Sequence, residues 1–266
     1  MSIYNKKRSV IMLVILVVLC THAVAFEPPF EKYSSIDNLI LGSTALLGIT
    51  SLFIEHKMSP LTPEQASQLD RNTINRFDRS ATCNLSERAA KFSDYGMLAT
   101  LLLPVGLLTD ARIGAEPNTL GYLYLETIAV TAVLTELTKV TVGRIRPWVY
   151  NERVPLEQKK GKDAKKSFFS GHTSLSFAGA VLCAKVYSDY HPDSRFKPYI
   201  WAGTIGLAST VAYWRVRAGR HFPSDVVVGA LVGSAAAYFI PKVHKAEQTS
   251  AAPAGQTMWI QFNFCF

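Results

Sequence analysis

The feature that most constrains this chain is a series of uncharged apolar blocks separated by charged connectors. They fall at residues 38–54, 95–109, 117–142, 167–184, 198–214 and 226–241, and only 117–142 is interrupted, by Glu126, Glu136 and Lys139. Leu, Ala, Gly, Thr and Val fill them without period-two alternation, and lengths of about 15 or more exceed ordinary strands. The pattern predicts an all-α fold, a six-helix bundle. Uncharged runs of this length lie between a buried core helix and a comfortable span of about 20 residues. Small-residue runs such as Gly42-Ser43-Thr44-Ala45 and Ala202-Gly203-Thr204, with Tyr199, Trp201, Trp214 and Arg215 at block ends, favour a membrane-embedded bundle over a soluble periplasmic one. In 266 residues, 16 Gly, 13 Pro and 4 Cys exclude a disordered chain and a disulfide scaffold. The net charge of +8 accompanies too much apolar sequence for a nucleic-acid binder, so no nucleic acid is expected; a membrane surface or a phosphorylated substrate fits better.

The first 25 residues read as a signal peptide. Lys6, Lys7 and Arg8 precede an apolar run at 10–19 and then Ala23-Val24-Ala25, which places cleavage before Phe26, with an uncleaved anchor as the alternative. The expected organisation is a signal peptide over 1–25, a helical domain over 26–245 and a tail over 246–266, the protein being exported and, in a bacterium, held in the inner membrane. Cys183 lies in an apolar block and reads as a small packing hydrophobe; a Cys83 to Cys265 bridge is left open. In the tail, Phe262, Phe264 and Phe266 share one strand face, without further alternating runs to build a barrel. The 55–93 connector, with Arg71, Arg76, Asp78, Arg79 and Arg88, reads as surface loop or short amphipathic helices. The five lysines of 157–166 read as a flexible loop, or as a basic rim for phosphorylated headgroups.

Three blocks put cationic or imidazole groups at the ends of apolar helices, where charge is costly unless used. In the first, Lys139 and Arg146 are seven residues apart, so two helical turns bring them to one face, and Pro147 ends the helix there. A Lys point charge beside an Arg fork suits phosphate. In the second, Ser170-Gly171-His172 opens an apolar run: Gly allows close approach of an anion, free amides at the helix start hold its oxygens, and His172 is placed to give a proton to a leaving group. In the third, Arg215 adds a cation and Pro223 starts a helix, with His221 just before it and Asp225 in its first turn, where a hydrogen bond from one imidazole nitrogen would leave the other as a nucleophile.

Together these blocks resemble the signature of the superfamily of type-2 phosphatidic acid phosphatases, bacterial class A acid phosphatases and vanadium haloperoxidases: Lys139 with Arg146-Pro147, then Ser170-Gly171-His172, then Arg215 with His221 and Asp225. Phe169 stands where the family has Pro and Trp214 where it has Ser. The resemblance covers about residues 94–241. It implies a phosphatase needing neither metal nor cofactor, in which His221 attacks phosphorus to form a phosphohistidine, Asp225 orients His221, and His172 protonates the leaving group and then activates water. Lys139, Arg146, Arg215 and the amides near Ser170 and Gly171 would bind the phosphate oxygens. The expected substrate is a phosphorylated lipid met in the membrane. The alternatives are a soluble periplasmic acid phosphatase, a vanadium-dependent haloperoxidase and a non-catalytic lipid-binding membrane protein. His56, His191 and His244, at helix ends, read as capping or solvated groups, and Glu126 and Glu136 as packing or polar contacts, with a proton path as the alternative.

Overall fold

The structure, a computed structural model, describes residues 28–31 and 34–246. The signal segment, the tail beyond 246 and Cys265 lie outside the described residues. The long helices are α1 (Ser34–Lys57), α2 (Glu87–Gly106), α3 (Pro117–Val142), α4 (Gly171–Tyr190), α5 (Lys197–Arg217) and α6 (Pro223–Val243). Each corresponds to one apolar block. Among the described residues the fold is all-helical, with only two isolated bridges, Phe30 to Lys245 and Leu61 to Gly161.

Helix boundaries depend on features finer than hydropathy. α2 begins well before its apolar run because Ser86 caps it, its hydroxyl accepting from the Ala89 amide at 3.2 Å. α3 does not end at Pro147. Gly143 stops it in the left-handed region, φ 62°, and Arg146 follows in extended backbone, so Lys139 and Arg146 do not share a helix face. α4 starts at Gly171 rather than at 167, with Ser170 as its cap.

α4 is the central helix, buried along most of its length and packed on α2, α3, α5 and α6. Its small residues permit this. A Cβ at Gly233 of α6 would sit 1.9 Å from the Ser174 carbonyl oxygen, so the two helix backbones touch at a place only glycine can occupy. The main hydrophobic core, including Leu123, Leu182, Val186, Tyr190 and Ile240, lies toward the C-terminal end of α4, opposite the motif-bearing end. The connector between α1 and α2 is a series of short helical turns, among them Pro63–Ser67 and Arg76–Arg79.

Four helices are long and apolar enough to cross a membrane, over Ser35–Lys57, Glu87–Thr109, Pro117–Tyr150 and Pro223–Val243. They are turned outward: only 11% of the first span's apolar window and 33% of the last's is buried. Large apolar side chains such as Leu39, Ile49, Leu52, Leu98, Leu102 and Leu231 are more than half exposed, more apolar exposure than a water-soluble monomer carries. The chain has the helices and the surface of a membrane protein.

Candidate active site

All three sequence blocks meet at one end of the bundle. Lys139, in the last turn of α3, reaches the start of α4, where a Cβ at Gly171 would stand 3.1 Å from its Nζ and 3.2 Å from Thr135 Cγ2. Glycine therefore lets the ammonium sit beside the first amides of α4, at the positive end of the helix dipole. Arg146 lies 3.4 Å from His221 Nε2 through Nη1. Arg215, from the last turn of α5, approaches Asp94 at 3.6 Å, and the same carboxylate oxygen is 2.7 Å from His172 Nε2. Arg146, Arg215 and His221 are buried, as are Ser170, Gly171 and Asp225.

His221 is fixed by a backbone carbonyl. Its Nδ1 is 2.7 Å from the Ser167 oxygen, so Nδ1 carries hydrogen and donates, leaving the Nε2 lone pair facing the cations. This corrects the expected role of Asp225, whose Oδ2 stands 3.7 Å from Nδ1. Asp225 instead accepts from Ser167 Oγ at 2.5 Å, the Phe222 amide at 2.9 Å and Arg144 Nη1 at 2.5 Å. It thus holds the two segments that hold the imidazole. Burial, then Arg146, Arg215 and Lys139, keep the His221 pKa well below the ordinary 6.5 against the opposing Ser167 carbonyl. The ring is neutral and its Nε2 free to act as a base or nucleophile.

Ser170 also differs from expectation. Its hydroxyl accepts from Thr173 Oγ1 at 2.9 Å as the helix cap, and its amide donates to the Asp225 carbonyl at 3.1 Å, so that amide is engaged within the protein. The amides that remain for an anion at this terminus begin at Gly171. Trp214, in place of the family's Ser, packs its ring on Phe92 and the small residues Ala89, Ala90 and Ala218, supporting the helix that carries Arg215.

Several contributors carried no readable sequence signal. Asp94 faces His172 across a separation of 78 residues, and Asp163, inside the lysine-rich connector, meets Arg146 Nη2 at 2.8 Å. Asp78 accepts from Arg144 Nη2 at 2.8 Å, the Ser224 amide at 2.9 Å and Ser224 Oγ at 2.7 Å, tying the 55–93 connector to the first turn of α6. Nor is the 157–166 connector a loose loop or an open basic rim. Lys162 donates to the Glu55 and His56 carbonyls, Lys165 to the Ser59 carbonyl, and Lys166 pairs with Glu55 at 2.5 Å. Three of its lysines fasten the end of α1 to the site.

The sequence model of the PAP2 superfamily matches residues 120–248, a stretch that contains every motif residue. Over that stretch the chain is similar to the PAP2 superfamily. Among its relatives, lipid phosphate phosphatase 1 of Arabidopsis thaliana is 32% identical over 45% of this chain and 42% of its own length. Lipid A 1-phosphatase of Rhizobium johnstonii is 27% identical over 48% of this chain and 50% of its own length. The chain therefore spans about half the length of the curated relatives it matches. The crystal structure of Aquifex aeolicus LpxE superposes with a TM-score of 0.42 at 26% identity, covering 65% of this chain and 90% of that one.

Proposed function

We propose that this chain is a PAP2-type, metal-independent phosphatase that removes phosphate from a lipid phosphate monoester or diphosphate through a phosphohistidine. The observation that carries the reading is the neutral His221: its Nδ1–H is anchored on the Ser167 carbonyl and its Nε2 is turned toward Arg146. In the first step the Nε2 lone pair forms a bond to phosphorus while the bond from phosphorus to the lipid oxygen breaks, and that oxygen takes a proton from His172, whose pKa burial and then Arg215 lower to about 4 and which is protonated only once the charge of the bound phosphate offsets Arg215. In the second, His172 takes a proton from water, whose oxygen bonds to phosphorus as the phosphorus–nitrogen bond breaks, releasing inorganic phosphate. Lys139, Arg146, Arg215 and the Gly171 amide stabilise the charge gathering on the equatorial oxygens, the largest contribution in reactions of this kind. Asp94 positions His172, and Asp225 positions the Ser167 segment and the start of α6.

A lipid substrate follows from the outward apolar helices, from the names of the relatives, and from a cavity of about 460 Å³ between α1, α3 and α6, lined by side chains such as Ile40, Leu47, Val130, Val133, Val232 and Phe239 and able to take an acyl chain. On this reading residues 26–245 form one six-helix membrane bundle, in a bacterium within the inner membrane after export, and the tail from 246 lies outside the catalytic domain. The test is phosphate release by wild type and His221→Ala, with chelator present, from a phosphatidate in mixed micelles and from a water-soluble phosphomonoester. Chelator-resistant, His221-dependent release that favours the lipid is expected. Equal or better turnover of the soluble ester would replace the lipid reading with that of an acid phosphatase, and no release from either would overturn both.

A further inference from the structure

A second cluster of charged groups lies at the other end of the bundle. Asp37 in the first turn of α1, Glu126 in α3 and His244 at the end of α6 are all buried, with exposures of 3%, 0% and 2%. His244 Nε2 lies 2.6 Å from Asp37 Oδ1 and 3.4 Å from Glu126 Oε2. The sequence reading of His244 as a capping or solvated group, and of Glu126 as a packing contact, does not describe this arrangement. Both Glu126 oxygens and Asp37 Oδ2 lack a hydrogen-bond partner among the described residues. Thirteen residues separate Glu126 from Lys139, about 20 Å along α3, so the cluster is not part of the phosphate site.

We propose that Asp37, Glu126 and His244 bind a divalent transition-metal cation, of which zinc is the representative, as a structural clasp joining α1, α3 and α6. One ligand atom from each residue lies within 4.8 Å of the other two, a spacing from which small side-chain rotations reach bonds of about 2.0–2.2 Å to a common ion. His244 is oriented as a metal ligand should be. Its Nδ1 is 2.9 Å from the Ile240 carbonyl, so Nδ1–H donates there and the Nε2 lone pair is directed at the two carboxylates. A lone pair facing two anions in a buried site calls for positive charge between them. An imidazolium would satisfy Asp37 alone and leave the second carboxylate uncompensated, whereas a divalent ion neutralises both carboxylates and leaves imidazole neutral. One imidazole with two carboxylates suits zinc better than magnesium or calcium, which favour all-oxygen shells with bound water. The backbone closes over the cluster: the Glu31 amide donates to the His244 carbonyl at 2.8 Å and the Ala246 amide to the Pro29 carbonyl at 3.0 Å.

The test uses the full chain in detergent, stripped with chelator, exposed to zinc chloride, desalted and measured for metal by atomic emission. Wild type is expected to retain about one zinc per chain and to show a raised thermal midpoint, while Glu126→Gln and His244→Ala retain less than about a fifth as much. Chelator-resistant phosphate release at the distant site checks that the variants have folded. Cobalt substitution of wild type supplies a measurement that needs no variant: visible absorption typical of a four-coordinate nitrogen and oxygen site supports the proposal. Zinc retention by wild type no greater than by both folded variants overturns it, as does a cobalt spectrum like that of the hydrated ion. A Glu126→Gln protein more stable than a zinc-free wild type that takes up no metal would also overturn it, identifying a shared-proton cluster instead.

Discussion

His221 sets the acid behaviour of the site. Its pKa lies well below 6.5, so the ring stays neutral as pH falls through the range where a free histidine titrates. Lowering the folded value makes the neutral form's advantage complete above the unfolded pKa and erodes it as pH falls toward the folded one. The kcat/KM profile should accordingly show no loss with apparent pKa near 6.5 assignable to His221; a limb there that disappears when His172 is retained and His221 is replaced by a weaker base would contradict this. His221→Ala should lose at least about 10³-fold in kcat, with no phosphoenzyme trapped on acid quench. Gly171→Ala should lower kcat/KM by up to about 10²-fold, because its methyl group would displace the Lys139 ammonium from the helix start; unchanged kinetics would show that the ammonium does not act there. The histidines, Lys139 and the two arginines were legible because each is a costly residue type at the end of an apolar run. Asp94 and Asp163 were not: they are ordinary polar residues of α2's first turns and of a connector, and only the fold brings them to their partners. The Asp225 assignment failed because sequence spacing cannot distinguish a carboxylate from a backbone carbonyl as the acceptor for one imidazole nitrogen.

Elements were readable to the extent that hydropathy defines them, and their ends were not, because Ser86, Gly143 and Ser170 act through caps and a left-handed turn rather than through apolar content. What joins the elements depends on a few contacts. Asp78 links the 55–93 connector to α6, and although burial alone would raise its pKa, hydrogen bonds from Asn75, Ser224 and Arg144 hold it below the ordinary 3.8. Its contribution to stability is therefore complete above about pH 4 and is lost as pH falls through the folded value. Asp78→Ala should cost about 3 kcal/mol, at the low end for a broken buried pair because Arg144 keeps Asp225; a thermal midpoint unchanged at pH 7 would refute the linkage. Gly233→Ala should be more damaging than any surface change in α6, since its methyl would overlap the Ser174 carbonyl and force α4 and α6 apart. Near-normal thermal stability of that variant would show that the helix pair can separate without cost.

For the molecule as a whole, a bundle with its motifs at one end and its second charged cluster at the other makes a directional prediction. In a chain whose Cys20, Cys83 and Cys265 are replaced by Ser, Lys160→Cys at the motif end and Arg195→Cys at the α4–α5 turn should react with an impermeant thiol reagent from opposite faces of sealed vesicles. Labelling of both from one face would rule out a spanning bundle. Each cation proposed to bind phosphate also has a resident carboxylate: Lys139 has Glu136, Arg146 has Asp163, and Arg215 shares Asp94 with His172. A ligand entering among them must compete with anions already in place, and competition of that kind is decided by charge. On the proposed reading, a terminal phosphate with two negative charges would displace those carboxylates more readily than a singly charged phosphodiester, so the site would stay open to monoesters among the diester headgroups of a bilayer.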